Sequence, residues 1–160
     1  MASSIFPYES AAALCRVMAE NVNVVYVEFE NNGGAPVSPP VPTRQEGISY
    51  YYGLQSHPTR DYLRVAVAAR STSISDANLY RLPNKLTIVA PAVGSQGVHG
   101  KTFGPSVSSR IYGGALVVAV EPSNPAEDIL LVRFYYTTDE QSVVSSSQHT
   151  IQIVHNVVFG

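Results

Sequence analysis

Gly113–Asp139, GGALVVAVEPSNPAEDILLVRFYYTTD, joins a strand-like run to a helix-start signal near the end of a chain otherwise patterned for β-structure. Asn124 suits an N-cap and Pro125 the first helical position, where a missing N–H costs nothing; Glu127, three residues after the cap, can bond back to its N–H. That spacing predicts a helix. The run Ile129-Leu130-Leu131-Val132-Arg133-Phe134-Tyr135-Tyr136 is then apolar or aromatic on every side except Arg133. A helix apolar all round must be buried on more than one face. In a chain of 160 residues the natural cover is a second copy, so the capping signal predicts self-association. Gln148–Val158 places Ile151, Val154 and Val158 at helical spacing and reads as a second helix. Both segments are also rich in β-formers, so local propensity opposes both helices.

Working back along the chain, Ser109–Glu121 reads as a long strand and Pro91–Ser108, rich in Gly and Ser, as an extended loop. Lys85–Ala90, Tyr62–Arg70 and Gly47–Gly53 read as strands, with a polar stretch at Ser71–Asn84. Val22–Phe29 alternates, Asn31-Asn32-Gly33-Gly34 is a turn signal, and Pro36, Pro39, Pro40 and Pro42 confine the returning strand to an edge, giving an N-terminal β-hairpin. Ser10–Glu20, with Leu14, Val17 and Met18 at helical spacing, is a short helix or an arm that packs on a neighbour.

Composition narrows the function classes. One domain with one substantial core is expected over residues 1–160, and 45% hydrophobic content excludes wholesale disorder. The formal charge is −2 and the only lysines are Lys85 and Lys101, so a polyanion would have to meet a local patch. Cys15 is the single cysteine and cannot form an internal disulfide. With neither a charged n-region nor a long apolar run at the N-terminus, the sequence predicts a cytosolic chain without a membrane span.

Chemistry-bearing motifs are scarce. GSQGVHGKT, Gly94 to Thr102, follows a strand and ends like a phosphate-binding loop, but Ser95 stands where the first glycine is needed. Phe-Gly-Pro-Ser after Thr102 cannot open the required helix, so a flexible surface loop is expected. His57, His99, His149 and His155 have no Cys or carboxylate at metal-ligand spacing, so no metal site is assigned. Without a nucleophile elbow or a base beside Cys15, the chain reads as no enzyme, with no catalytic residue, cofactor or small-molecule substrate.

The arginines are more informative. In YLRVAVAAR, Arg64, Ala66, Ala68 and Arg70 share one face of a strand. In KLTIVA, Lys85 and Thr87 do the same, and pairing the two strands would create one small, basic surface suited to an RNA backbone. An ordinary solvated sheet face is the plain alternative. Tyr50, Tyr51 and Tyr52 offer rings on which an unpaired base can stack, or simply half-buried strand tyrosines.

The element order, with EGISYY, YLRVAVAARSTS, NKLTIVAPAV and LVVAVEPSNPAED, resembles the coat proteins of the small single-stranded RNA bacteriophages, the leviviruses, over Val22 to Gly160. The resemblance implies an α+β fold: an N-terminal β-hairpin and a five-stranded antiparallel sheet over residues 22–122, then two C-terminal helices over 123–160, with residues 1–21 as an extension. It implies an interlocked homodimer, with Ile129, Leu130, Leu131, Val132, Phe134, Tyr135, Ile151, Val154 and Val158 at the dimer interface. It further implies a virion protein, assembled in the bacterial cytoplasm into an icosahedral capsid. Single-stranded RNA would bind on Arg64, Ala66, Ala68, Arg70, Lys85, Thr87, Arg110 and Tyr112, and an RNA hairpin there would repress replicase translation. Pro91–Ser108 would pack around the shell's symmetry axes. Ala66 and Ala68 stand where hydroxyls hold adenines in that family, so adenine pockets of that type do not carry over. A jelly-roll capsid or decoration protein, in which Leu130–Thr138 is a strand, is the alternative, with a small β-sandwich sugar-binding module as another.

Overall fold

The computed structural model describes residues 2–5, 7–31, 42–74, 82–93, 95–144 and 150–159. Two antiparallel sheets dominate them, with two short helices in the N-terminal half. In chain order the elements are α1 (Tyr8–Asn21), β1 (Val24–Glu30), α2 (Ile48–Gly53), β2 (Arg60–Ala66), β3 (Ala69–Ser73), β4 (Lys85–Val93), β5 (Arg110–Ala119), β6 (Asp128–Tyr135), β7 (Ser142–Val143) and β8 (Thr150–Val158). Sheet A has the order β2-β1-β5-β6, with β7 also paired to β5; sheet B has the order β3-β4-β8.

The α+β layout with two C-terminal helices is therefore wrong: both segments expected to be helical are strands. The cap works, but only for one turn. Asn124 Oδ1 accepts from the Ala126 N–H at 3.3 Å, and Pro125–Glu127 forms a single 3-10 turn. At Asp128 the backbone is already extended, and Asp128 pairs with Ala119 of β5. From there the β-formers of 129–135 take their hydrogen bonds from β5, and tertiary pairing overrides the local signal.

Other expectations shift in the same way. Val22–Phe29 does yield a strand, yet β1 pairs with β2 and β5; the returning strand and turn of the expected hairpin fall almost wholly outside the described residues. Ile48–Gly53 of GISYYYG forms α2, which buries Tyr51 against sheet A, with Leu54 of the following 3-10 turn buried beside it. YLRVAVAAR does not stay in one sheet. The chain bends at Val67 and Ala68, whose N–H groups donate to Asn23 O of one sheet's border and Val89 O of the other, so β2 and β3 are one path that changes sheets. Such a bend is how a sandwich turns its corner.

The core lies between the sheets. Val25, Val27, Phe29, Leu63 and Val65 of sheet A meet Leu86, Ile88, Ala90 and Ile153 of sheet B, and α1 closes one side with Cys15 and Met18. A second cluster lies on the far side of sheet A, where Tyr26, Tyr62, Ala115 and Val117 pack under Tyr51 and Leu54. Sheet A is thus covered on both faces, which explains why β5 is buried almost throughout. The central strands approach closely at Gly113-Gly114. A Cβ at Gly114 would sit 1.7 Å from Tyr26 O, and Gly113, at φ +154°, faces Phe134 O at 2.3 Å. Gly114→Ala should lower stability by about 3 kcal/mol, read as a shift in the urea midpoint at unchanged slope; an unchanged midpoint would contradict this packing.

Candidate functional site

Alternation along β1 sends Tyr26, Glu28 and Glu30 toward α2 and away from the core, so three consecutive outward positions are polar yet covered. Each carboxylate in this layer has partners. Asp128 at the start of β6 receives Arg64 of β2 in a two-pronged pair, Nε to Oδ2 at 2.7 Å and Nη2 to Oδ1 at 2.8 Å, and also the Tyr26 hydroxyl. The remaining Arg64 nitrogen, Nη1, donates to Pro122 O. Glu28 accepts from the Tyr50 hydroxyl. Burial raises the Glu28 carboxyl, against the pull of Tyr50 and Arg133. Arg133 of β6 lies over the Tyr50 ring at 3.9 Å and pairs with Glu46 at 3.1 Å.

Glu30 is different. Burial works to raise it, but hydrogen bonds from Tyr112, Thr59 and Arg60 outweigh that and hold it low. Tyr26, Tyr51 and Tyr62 meet ring to ring at 4.7–5.1 Å, which fills the space between these pairs.

The loop that looks like a phosphate cradle is not a loose surface loop, and its anion is the protein's own. Asp61, fully buried, accepts from the N–H groups of Tyr62, His99 and Lys101 at 2.8–3.1 Å. Backbone amides gathered by a glycine-rich turn form an anion site, here occupied by a side-chain carboxylate. Gly97 is required because a Cβ there would lie 2.3 Å from Asp61 Oδ2. The loop then pins the helical layer: His99 Nε2 meets Tyr51 O at 2.9 Å, and Lys101 Nζ donates to Leu54 O and Gln55 O.

The eight residues expected to face RNA are not brought together. Arg64 is committed to Asp128, and Arg110 and Tyr112 are buried in β5. Arg70 crosses to Val22 O. Because the chain changes sheets between Ala66 and Ala68, Arg64 lies in sheet A, whereas Arg70, Lys85 and Thr87 lie in sheet B. Register then separates these last: Arg70 pairs with Ile88, on the opposite side of the exposed strand β3 from Ser71, which pairs with Thr87.

Among the described residues nothing covers the outer face of sheet B. Its rows run Ala69, Val89, Val154; then Ser71, Thr87, Asn156; then Ser73, Lys85, Val158, with Pro91 beside Gln152. Thr87 Oγ1 donates to Asn156 Oδ1 at 2.6 Å. Val154 and Val158 are 51% and 55% exposed, and among these side chains only Lys85 is charged. Of the expected interface residues, Val154 and Val158 lie here. Ile129, Leu131 and Tyr135 are exposed on β6, an edge strand of sheet A. Leu130, Val132, Phe134 and Ile151 turn inward. Sequence reading missed Asn156 and Gln152, although the alternation of TIQIVHNVV carries that signal, and missed Ser71, which lies at the start of the polar stretch Ser71–Asn84.

Among the described residues no cluster of His, Cys, Asp and Glu is placed to hold a metal. No described helix is long and apolar enough to cross a membrane. Replacing Asp61 by Asn leaves one backbone N–H facing a donor, so D61N should cost about 2 kcal/mol and speed tryptic cleavage at Lys101; an unchanged cleavage rate would contradict the cradle. Comparison with protein-family models, curated proteins and solved structures finds no match.

Proposed function

We propose that the chain is a non-catalytic structural subunit that associates with copies of itself through the outer face of sheet B, as a coat or decoration subunit of a viral particle does. The observation that carries this reading is the chemistry of that face: a three-stranded surface with exposed Val154 and Val158 and, among the described residues, one charge. A sheet face that stays in water ordinarily alternates to charged and polar residues. Only 14% of this chain is charged, against roughly a quarter in soluble domains. Part of that small share is turned inward, in the pairs of Arg64 with Asp128 and Arg60 with Glu30. Among the described residues the outer face of sheet B is left with Lys85 as its single charge, as suits a surface covered by neighbouring subunits.

The same ion pairs take support from RNA capture on the arginine strands, because a guanidinium held by a carboxylate has little left for phosphate. They equally weaken a sugar-binding reading, since Tyr26, Tyr51 and Tyr62 are buried against one another and present no open aromatic groove.

Sedimentation velocity on the wild-type chain should reveal concentration-dependent association, and electron microscopy of that material should show closed or layered particles. Val154→Lys combined with Val158→Lys should leave the melting transition within about 0.5 kcal/mol of wild type and give monomers. A wild-type chain that remains monomeric at high concentration, or a double variant that assembles as before, would contradict the proposal.

A further inference from the structure

The sandwich has one closed side and one open side. On the closed side the β2–β3 path runs from sheet to sheet, whereas on the open side β6 and β8 end their sheets without a shared strand. His155 stands on β8 at that open side, inward-facing beside Ile88 of β4. Its ring lies 3.8 Å from that of Phe134 on β6 and is nearly parallel to Tyr136 just beyond it, at an interplanar angle of 14°. Tyr136 Oη and His155 Nδ1 are 3.2 Å apart, while Nε2 has no partner among the described residues. Among the described residues, this imidazole makes a polar link between the sheets on the side where no strand runs from one to the other.

The surroundings can hold the ring only while it is neutral. β4 presents Ile88, β6 presents Phe134, and the segment after β6 presents Tyr136. Glu140, which bears on Tyr136, has its carboxylate engaged by the Thr137 N–H and hydroxyl. Burial alone pushes His155 down to about 4, with no charged group contributing. A second ring proton makes both nitrogens donors. The Tyr136 oxygen can accept from Nδ1, which leaves Nε2–H without an acceptor beside a buried charge.

We propose that His155 is an acid-released latch between the two sheets: neutral, it holds β8 against β6, and its protonation frees β8 and residues 134–136 while β1, β2 and β5 stay paired. The sign follows from the lowered value. An opened form, titrating near 6.5, binds more protons than the closed one between pH 6.5 and 4, so the latch is fully engaged above pH 6.5 and is lost as pH falls through that window.

Hydrogen exchange read by mass spectrometry on the full chain, at pH 7.5 and at pH 5 with rates corrected for intrinsic exchange, provides the test. Protection of β8 and residues 134–136 should fall on the order of tenfold at pH 5, with β1, β2 and β5 unchanged. His155→Phe keeps the ring packing and should abolish that step; a step that persists in H155F would overturn the latch. Should H155F fail to fold, an NMR titration of the wild-type imidazole decides: a midpoint well below 6 supports the latch, and one near 6.5 overturns it.

Discussion

The Asp128 carboxylate is the point on which the architecture turns. It ends the 3-10 turn begun by Asn124 and Pro125, starts β6, and is gripped by Arg64 of β2 and the Tyr26 hydroxyl of β1. Three strands of sheet A are thereby registered by one buried group. Removing one partner from such a pair is costly, typically 3–5 kcal/mol, because the other is left buried and uncompensated. The pair fixes which way the chain leaves residue 128, and leaving it extended makes the molecule a sandwich.

Around that contact the molecule is built in layers with different chemistry. Between the sheets the packing is apolar, and its one polar inward ring on β8 is His155. Between sheet A and α2 the layer is mixed, with tyrosine rings as filler and carboxylate–hydroxyl or carboxylate–guanidinium contacts as fasteners. A polar layer of this kind specifies one arrangement, since every slip of register leaves a buried charge alone. The cost is that charge is spent inside, which leaves sheet B's outer face to Val154, Val158 and neutral polar residues.

What the sequence revealed and what it hid divide along physical lines. Alternation made β1 and β4 legible, because period-2 patterning needs only the strand itself, and the long apolar run of β5 marked a strand buried on both faces. The strand β6 was misread because the cap at Asn124–Glu127 is a true local signal that lasts only three residues, and the pairing of 129–135 with β5 outweighs it, while the 3 and 4 spacing of Ile151, Val154 and Val158 hid the pairing of β8 with β4. GISYYYG looked like a strand from its tyrosines, yet their hydroxyls and rings serve contacts to residues such as Glu28, 22 positions away. The arginine strand misled for the same reason. Arg64 and Asp128 are 64 residues apart, and no local pattern announces that a basic side chain is already paired. The sheet change at Val67–Ala68 was hidden in small residues that read equally well as one continuous strand.

We propose that copies of this chain meet across the outer face of sheet B, which no described residue covers. Cys15 is buried, so a spin label can be confined to a single new thiol at Ser73→Cys, on the rim of that face. Pulsed dipolar spectroscopy on this labelled chain is the most direct measurement. The account predicts a discrete inter-subunit distance whose amplitude grows with protein concentration; only the featureless background of isolated monomers, at every concentration reached, would contradict it.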